Sequence, residues 1–181
     1  MMNKTQKKIL DAAFEVLAQD ISAPLERVAE QAGVTRMTLH RYYAGREILV
    51  EATVLEMIRL SNQIIDDALE QNDRPIDQLK AIITSASQMG ERFHFLMHAN
   101  EIVDEQIIDS NVAELDGKMI KIFDQLRDEK LIEQDVPNAW LLHLYGGVMT
   151  AAWSSLNEGA VAQRDVPKLA WRSFSKGILQ N

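Results

Sequence analysis

The stretch "AEQAGVTRMTLHRYYAGRE", residues 29–47, decides the fold of this chain. Ala29, Gly33 and Leu39 stand four and then six residues apart. That spacing brings two short helices together across a tight bend. Ala29 leaves room for the second helix, Gly33 makes the turn and Leu39 seals the joint from the other side. Thr35 is placed to cap the second helix, which runs to about Tyr43. With those residues inward, helical geometry turns Arg36, Met37, Thr38, His40, Arg41 and Tyr42 away from the core. Hydroxyls, a guanidinium, a thioether and a phenol on a protruding helix are groups that bond phosphates and base edges in a major groove. Taken alone, a glycine-turned helix pair also fits an ordinary charged surface.

The neighbouring residues extend the pattern. "KKILDAAFEVLA" places Ile9, Leu10, Ala13, Phe14 and Leu17 at helical spacing, an amphipathic first helix. Pro24 suits the first turn of a second helix through Gln31, because its missing N–H costs nothing there. From Lys7 to Val50 the order "KKILDAAFEVLA … PLERVAEQAGVTRMTLHRYYAGREILVEA" closely resembles the amino-terminal DNA-binding domain of TetR-family transcriptional regulators. The resemblance implies a small domain that binds double-stranded operator DNA as half of a dimer. It also implies a larger helical domain that binds a small-molecule effector and supplies the dimer interface through the two carboxy-terminal helices. Thr38, His40, Tyr42 and Arg46 match positions that contact the DNA backbone in the family. Thr35 belongs to the same surface as the cap of the recognition helix, and Arg36 and Met37 are the candidates for base contacts. Two departures stand out: the link "AQDISAP" is short, with Ala23 where a hydroxyl cap is common, and His40 replaces the usual tyrosine.

The distribution of charge agrees with that assignment better than its total. The formal net charge is −8. Up to Val50 there are seven Lys/Arg against six Asp/Glu, whereas from Glu51 onward there are 12 against 21. A polyanion is drawn to the first segment and repelled by the second. There is no cysteine, which removes disulfides and thiolate metal sites. No apolar run approaches bilayer length and "MMNKTQKKILDAAFEVL" lacks a signal-peptide core, so the expectation is a soluble, cytoplasmic protein with no membrane partner.

Downstream the periodicity is helical throughout. Helices are expected over Glu47 to about Asn72, Ile76–Met89, Glu91 to about Asn100, and about Asp104 to Glu129 with a break near Ser110. Two more follow the Val-Pro dipeptides at 136–137 and 166–167. The expected fold is all-α, with about nine helices. A helix-turn-helix domain over residues 1–46 is joined by a long fourth helix to an effector-binding and dimerisation domain over residues 47–181. Phe93, Met97, His98, Phe123 and Trp140 are the candidate effector-binding residues: the family resemblance implies the pocket, and aromatics and methionine at helical spacing, which singly fit a core, together can line one between bundle helices. Gly146 and Gly147, with Ala151 and Ala152, make a smooth stripe suited to helix crossing, either with a partner subunit or within the chain. His94 and His98 stand four apart on one helical face and His143 falls in "LLHLYGG", but no full ligand set accompanies them. No metal, cofactor or catalytic residue is assigned. The reading is a ligand-responsive dimeric repressor on a palindromic operator. The alternative is a small helical enzyme, or a metal or ligand carrier, built on the His94/His98 region.

Overall fold

The computed structural model describes residues 2–89, 103 and 105–179. Among them lie eight helices and no named strand: α1 (Lys4–Gln19), α2 (Leu25–Ala32), α3 (Arg36–Tyr42), α4 (Arg46–Gln71), α5 (Pro75–Ala86), α6 (Glu105–Asp128), α7 (Asn138–Asn157) and α8 (Val166–Ile178). The all-α expectation holds. The helix expected over 91–100, and with it Phe93, His94, Met97 and His98, lies outside the described residues. The break expected near Ser110 is absent, since α6 runs without interruption. No helix among the described residues is long and apolar enough to cross a membrane.

The chain divides into two compact units, one taking in Met1–Arg59 and the other Leu60–Gly90 and Val112–Asn181. The division falls inside α4 and not at residue 46. The reason is local: Leu49, Val50, Val54 and Met57 on the first half of α4 are fully buried, as are Ile9 and Ala13 of α1, Val28 of α2 and Leu39 of α3. These residues share the hydrophobic core of the first unit, so the start of α4 folds with the helices that precede it. Thr53 is also buried there, its hydroxyl donating to the Leu49 carbonyl at 2.6 Å.

Caps set the helix ends. Asn3 accepts from the amides of Thr5 and Gln6 while the Asn3 amide donates to Gln6 Oε1, a reciprocal capping box that starts α1 at Lys4. α2 ends at Gly33, which adopts φ +64°; Val34 N–H bonds Ala29 O and Gly33 N–H bonds Glu30 O, both at 3.0 Å. This Schellman arrangement satisfies carbonyls that the helix end would otherwise strand. Thr35 then accepts from the Thr38 amide and opens α3.

In the second unit the inward stripes are Leu79, Ile82 and Ile83 of α5, Met119, Ile122, Phe123 and Leu126 of α6, Leu141, Met149 and Trp153 of α7, and Val166, Ala170 and Phe174 of α8. α8 packs against α5 and α7. The Trp153 indole donates to the Ala86 carbonyl, 3.4 Å away. Lys118 of α6 reaches Asn62 and Asp66 on α4 at 3.0 and 2.7 Å.

Candidate nucleic-acid interface

The bend at Gly33 and the burial of Leu39 together fix which face of α3 looks outward. Leu39 has no exposed surface, whereas Met37 is 84% exposed. Arg36, the first residue of α3, is exposed too, and its Nη1 lies 2.7 Å from Glu26 Oε1 in the first turn of α2. Thr35 and Thr38 place their hydroxyls 3.0 Å apart at the cap. His40 is half-buried. Arg41 lies over the ring of half-buried Tyr42, 5.2 Å from its centroid. The Tyr42 hydroxyl accepts from Asn3 Nδ2 at 3.4 Å, which ties the last residue of α3 to the cap of α1. Tyr43 is buried, and burial pushes its phenol above the usual range with Glu56 adding to the shift. Thr35, Arg36, Met37, Thr38, His40 and Tyr42 are therefore brought together on one short helix and its cap.

Arg46 departs from the set. Its Nη1 donates to the Ala23 carbonyl at 2.6 Å, and its Nη2 is enclosed without a partner. The expectation was a cation presented to phosphate at the start of α4. The structure turns the guanidinium inward instead, because the Ala23–Pro24 turn presents a carbonyl that it satisfies. The same turn is tightened by Ser22, whose amide and hydroxyl donate to Asp20 Oδ1 at 2.9 and 2.6 Å and hold that carboxyl below its usual range.

The effector candidates separate. Phe123 is fully buried in the core stripe of α6, whereas Trp140 is 63% exposed in the first turn of α7. Trp140 shares an open face with His143, Gly147 and Ala151, on the side of α7 away from Leu141, Met149 and Trp153. Phe123 is thus a core residue and Trp140 a surface one. A further residue, one without prominence in the sequence, is Asp116, three residues before Met119 and seven before Phe123, on the inward stripe of α6. Half-burial raises its carboxyl above the usual range, while the His143 charge pulls the other way. Tyr145 lies on the inward face of α7, four residues after Leu141 and four before Met149, and burial pushes its phenol strongly upward. An acid at helical spacing within an apolar stripe was the signal available. Among the described residues no group of three or more His, Asp or Glu is arranged to hold a metal ion.

The family profile described as "Bacterial regulatory proteins, tetR family" matches residues 9–53, which cover α1, α2, α3 and the first turns of α4. These residues carry the DNA-binding domain of the TetR family of transcriptional regulators. It is 26% identical over 177 residues to the HTH-type transcriptional repressor LfrR of Mycolicibacterium smegmatis, covering 97% of this chain and 91% of that one. It is 27% identical over 109 residues to the HTH-type transcriptional regulator BetI of Brucella anthropi, a match that covers 55% of this chain and 56% of BetI. The crystal structure of LfrR from Mycobacterium smegmatis in complex with proflavine superposes with a TM-score of 0.78 at 24% identity over 99% of both chains, a likeness of fold. The chain therefore carries the TetR-family sequence pattern in its first unit, and its described helices share the fold of LfrR.

The placement of Arg46 has a measurable consequence. Arg46→Ala strands the Ala23 carbonyl and removes a charge-assisted hydrogen bond, so it should destabilise the protein by about 1.5 to 3 kcal/mol. Arg36→Ala, which breaks an exposed ion pair, should change stability by less than about 1 kcal/mol. Urea unfolding of the two variants compares them; equal midpoints would show that Arg46 does not anchor the turn.

Proposed function

We propose that this regulator is a dimeric repressor that holds a palindromic operator and releases it when a small-molecule effector binds. The observation that carries the reading is the first turn of α3, where Arg36 and Met37 project while Leu39 is sealed beneath them. A guanidinium and a thioether at that position suit a guanine edge and a thymine methyl. The competing enzyme or carrier reading rests on His94 and His98, outside the described residues. Duplexes selected by the protein from a random pool supply the operator. On it, Arg36→Ala should relax preference at one position of each half-site and cost about 1 to 3 kcal/mol. Equal loss on selected and random duplexes would remove Arg36 as a base reader.

A dimer is part of the proposal because one recognition helix reads too few bases to specify a site, and paired helices must reach grooves about 34 to 36 Å apart or a multiple of that. The interface we propose is formed by α7 and α8. α7 carries apolar and small residues well beyond its inward stripe: Trp140, Gly147 and Ala151 face outward beside His143. A Cβ added at Gly146 or Gly147 meets nothing within 4 Å, so among the described residues neither glycine serves a helix crossing. Between α7 and α8 opens an apolar hollow of about 240 Å³ lined by Val148, Ala151, Ala152, Leu169 and Ala170. Gly147→Leu has room in a single subunit. It should keep its helical content, sediment as a monomer and lose operator binding; a variant that stays dimeric would move the interface elsewhere.

For the effector, Asp116 supports an apolar molecule carrying positive charge. The structure of LfrR in complex with proflavine, an aromatic cation, is consistent with that class. Because the folded protein raises the Asp116 carboxyl above its unfolded value, ionisation destabilises the fold as pH climbs past the unfolded pKa. Asp116→Asn should therefore raise the thermal midpoint of the free protein at neutral pH, with the gain vanishing in acid. The same change should weaken proflavine binding about tenfold or more, the scale of a lost charge-assisted contact. An effector that releases operator must, by linkage, bind less tightly when operator is present, by the same factor. Unchanged melting and unchanged proflavine affinity would remove Asp116 from the effector site.

A further inference from the structure

We infer that Glu26 is a specificity-determining residue, one that positions Arg36 for a base edge and keeps it from engaging phosphates indiscriminately. The inference rests on the operator reading above and adds to it a residue on α2.

The two side chains meet across the Gly33 bend, with 2.7 Å between Arg36 Nη1 and Glu26 Oε1. Their helix positions make the pairing unequal. Glu26 lies in the first turn of α2, where the helix dipole favours a carboxylate. Arg36 opens α3, where the dipole disfavours a cation, so nothing in its own helix holds the guanidinium in place. The side chains are 66% and 45% exposed, and an ion pair in such surroundings adds little to stability. Its effect is on where the guanidinium points.

Two consequences bear on DNA. Guanine is read by two N–H groups in the plane of the base edge, presented to O6 and N7. A guanidinium held at Nη1 by a fixed carboxylate keeps its remaining donors free and loses less rotamer freedom on docking. The second effect is electrostatic. A free arginine is attracted to any phosphate and adds to binding on every sequence, whereas the carboxylate beside it is repelled by the same phosphates. Glu26 thus cancels the indiscriminate part of the Arg36 attraction and leaves the directional part. Arg46 needs no such partner, because the Ala23 carbonyl already occupies it.

A carboxylate at this position could instead accept from cytosine N4 and read a base directly. A double-mutant cycle separates the two roles. Wild type, Glu26→Gln, Arg36→Ala and the double variant are titrated against the selected operator, the operator altered at the base pair that Arg36 reads, and an unrelated duplex, over a range of salt. Glu26→Gln should reduce discrimination at that base pair about tenfold. It should also tighten binding to the unrelated duplex and steepen the salt slope by about one unit. In the Arg36→Ala background Glu26→Gln should leave discrimination unchanged. Circular dichroism and thermal midpoints of the variants should match wild type. Unaltered discrimination in Glu26→Gln overturns the inference, and so does the same loss with Arg36 already gone, which would make Glu26 a base reader. A wild-type protein that selects no sequence would overturn the operator reading and this inference together; a selected site with normal discrimination in Glu26→Gln overturns this inference alone.

Discussion

The reversal of the backbone at Gly33 is the constraint on which the recognition unit depends. At φ +64° the chain leaves α2 in the left-handed region, which a residue with a Cβ enters only at a cost. The two hydrogen bonds that close behind it, to Ala29 and Glu30, fix where α2 stops. Thr35 then fixes where α3 starts. Once both ends are set, the rotational phase of α3 follows from 3.6 residues per turn. A slip of one residue would turn the helix by about 100° and bring Leu39 out of the core. The exposure of Arg36 and Met37 is thus the outward side of a packing decision made at Ala29, Gly33 and Leu39.

Guanidinium groups serve two opposite ends in this fold. Arg46 and Arg127 are turned inward to satisfy carbonyls at helix termini. Arg127 at the end of α6 donates to Val136 O at 2.7 Å and to Asn138 Oδ1 at 2.5 Å while pairing with Asp124 at 2.7 Å, which ties the α6–α7 connection to the first turn of α7. Arg36 faces water, with a carboxylate beside it. A count of basic residues in the first 50 positions therefore overstates the charge offered to DNA. Planar, permanently charged and five-donor, the same side chain is a clamp in one place and a reader in another.

Much of the fold was legible because the punctuation is strong. Pro24, Pro75, Pro137 and Pro167 each stand at a helix start, and Gly33 and Gly159 end helices in the left-handed conformation. Where punctuation was missing, apolar periodicity alone brought the end of α6 to within one residue, Glu129 expected against Asp128. α6 ends at Asp128, and the chain turns away two residues on at Lys130, which adopts φ +58° without being glycine, closed by bonds from Lys130 N–H to Arg127 O and from Leu131 N–H to Leu126 O. No residue type announces that turn. For the site, spacing relative to Leu39 was enough to place Arg36, Met37 and Tyr42 on one short helix. It gave no sign that Arg46 has a carbonyl within reach, since Ala23 is 23 residues away. Residue type also left the side open at Trp140: an aromatic at helical spacing signals an apolar neighbour without saying which side of the helix supplies it.

The outward face of α7 also bears on thermodynamics. Trp140 and Ala151 on this face are wet in a lone subunit. Any association that covers this face removes apolar area from water only after folding has assembled α7, so association and folding share one free energy. Mass action then makes the unfolding midpoint climb with protein concentration. For such a chain, stability is a property of how much of it is present as well as of its sequence.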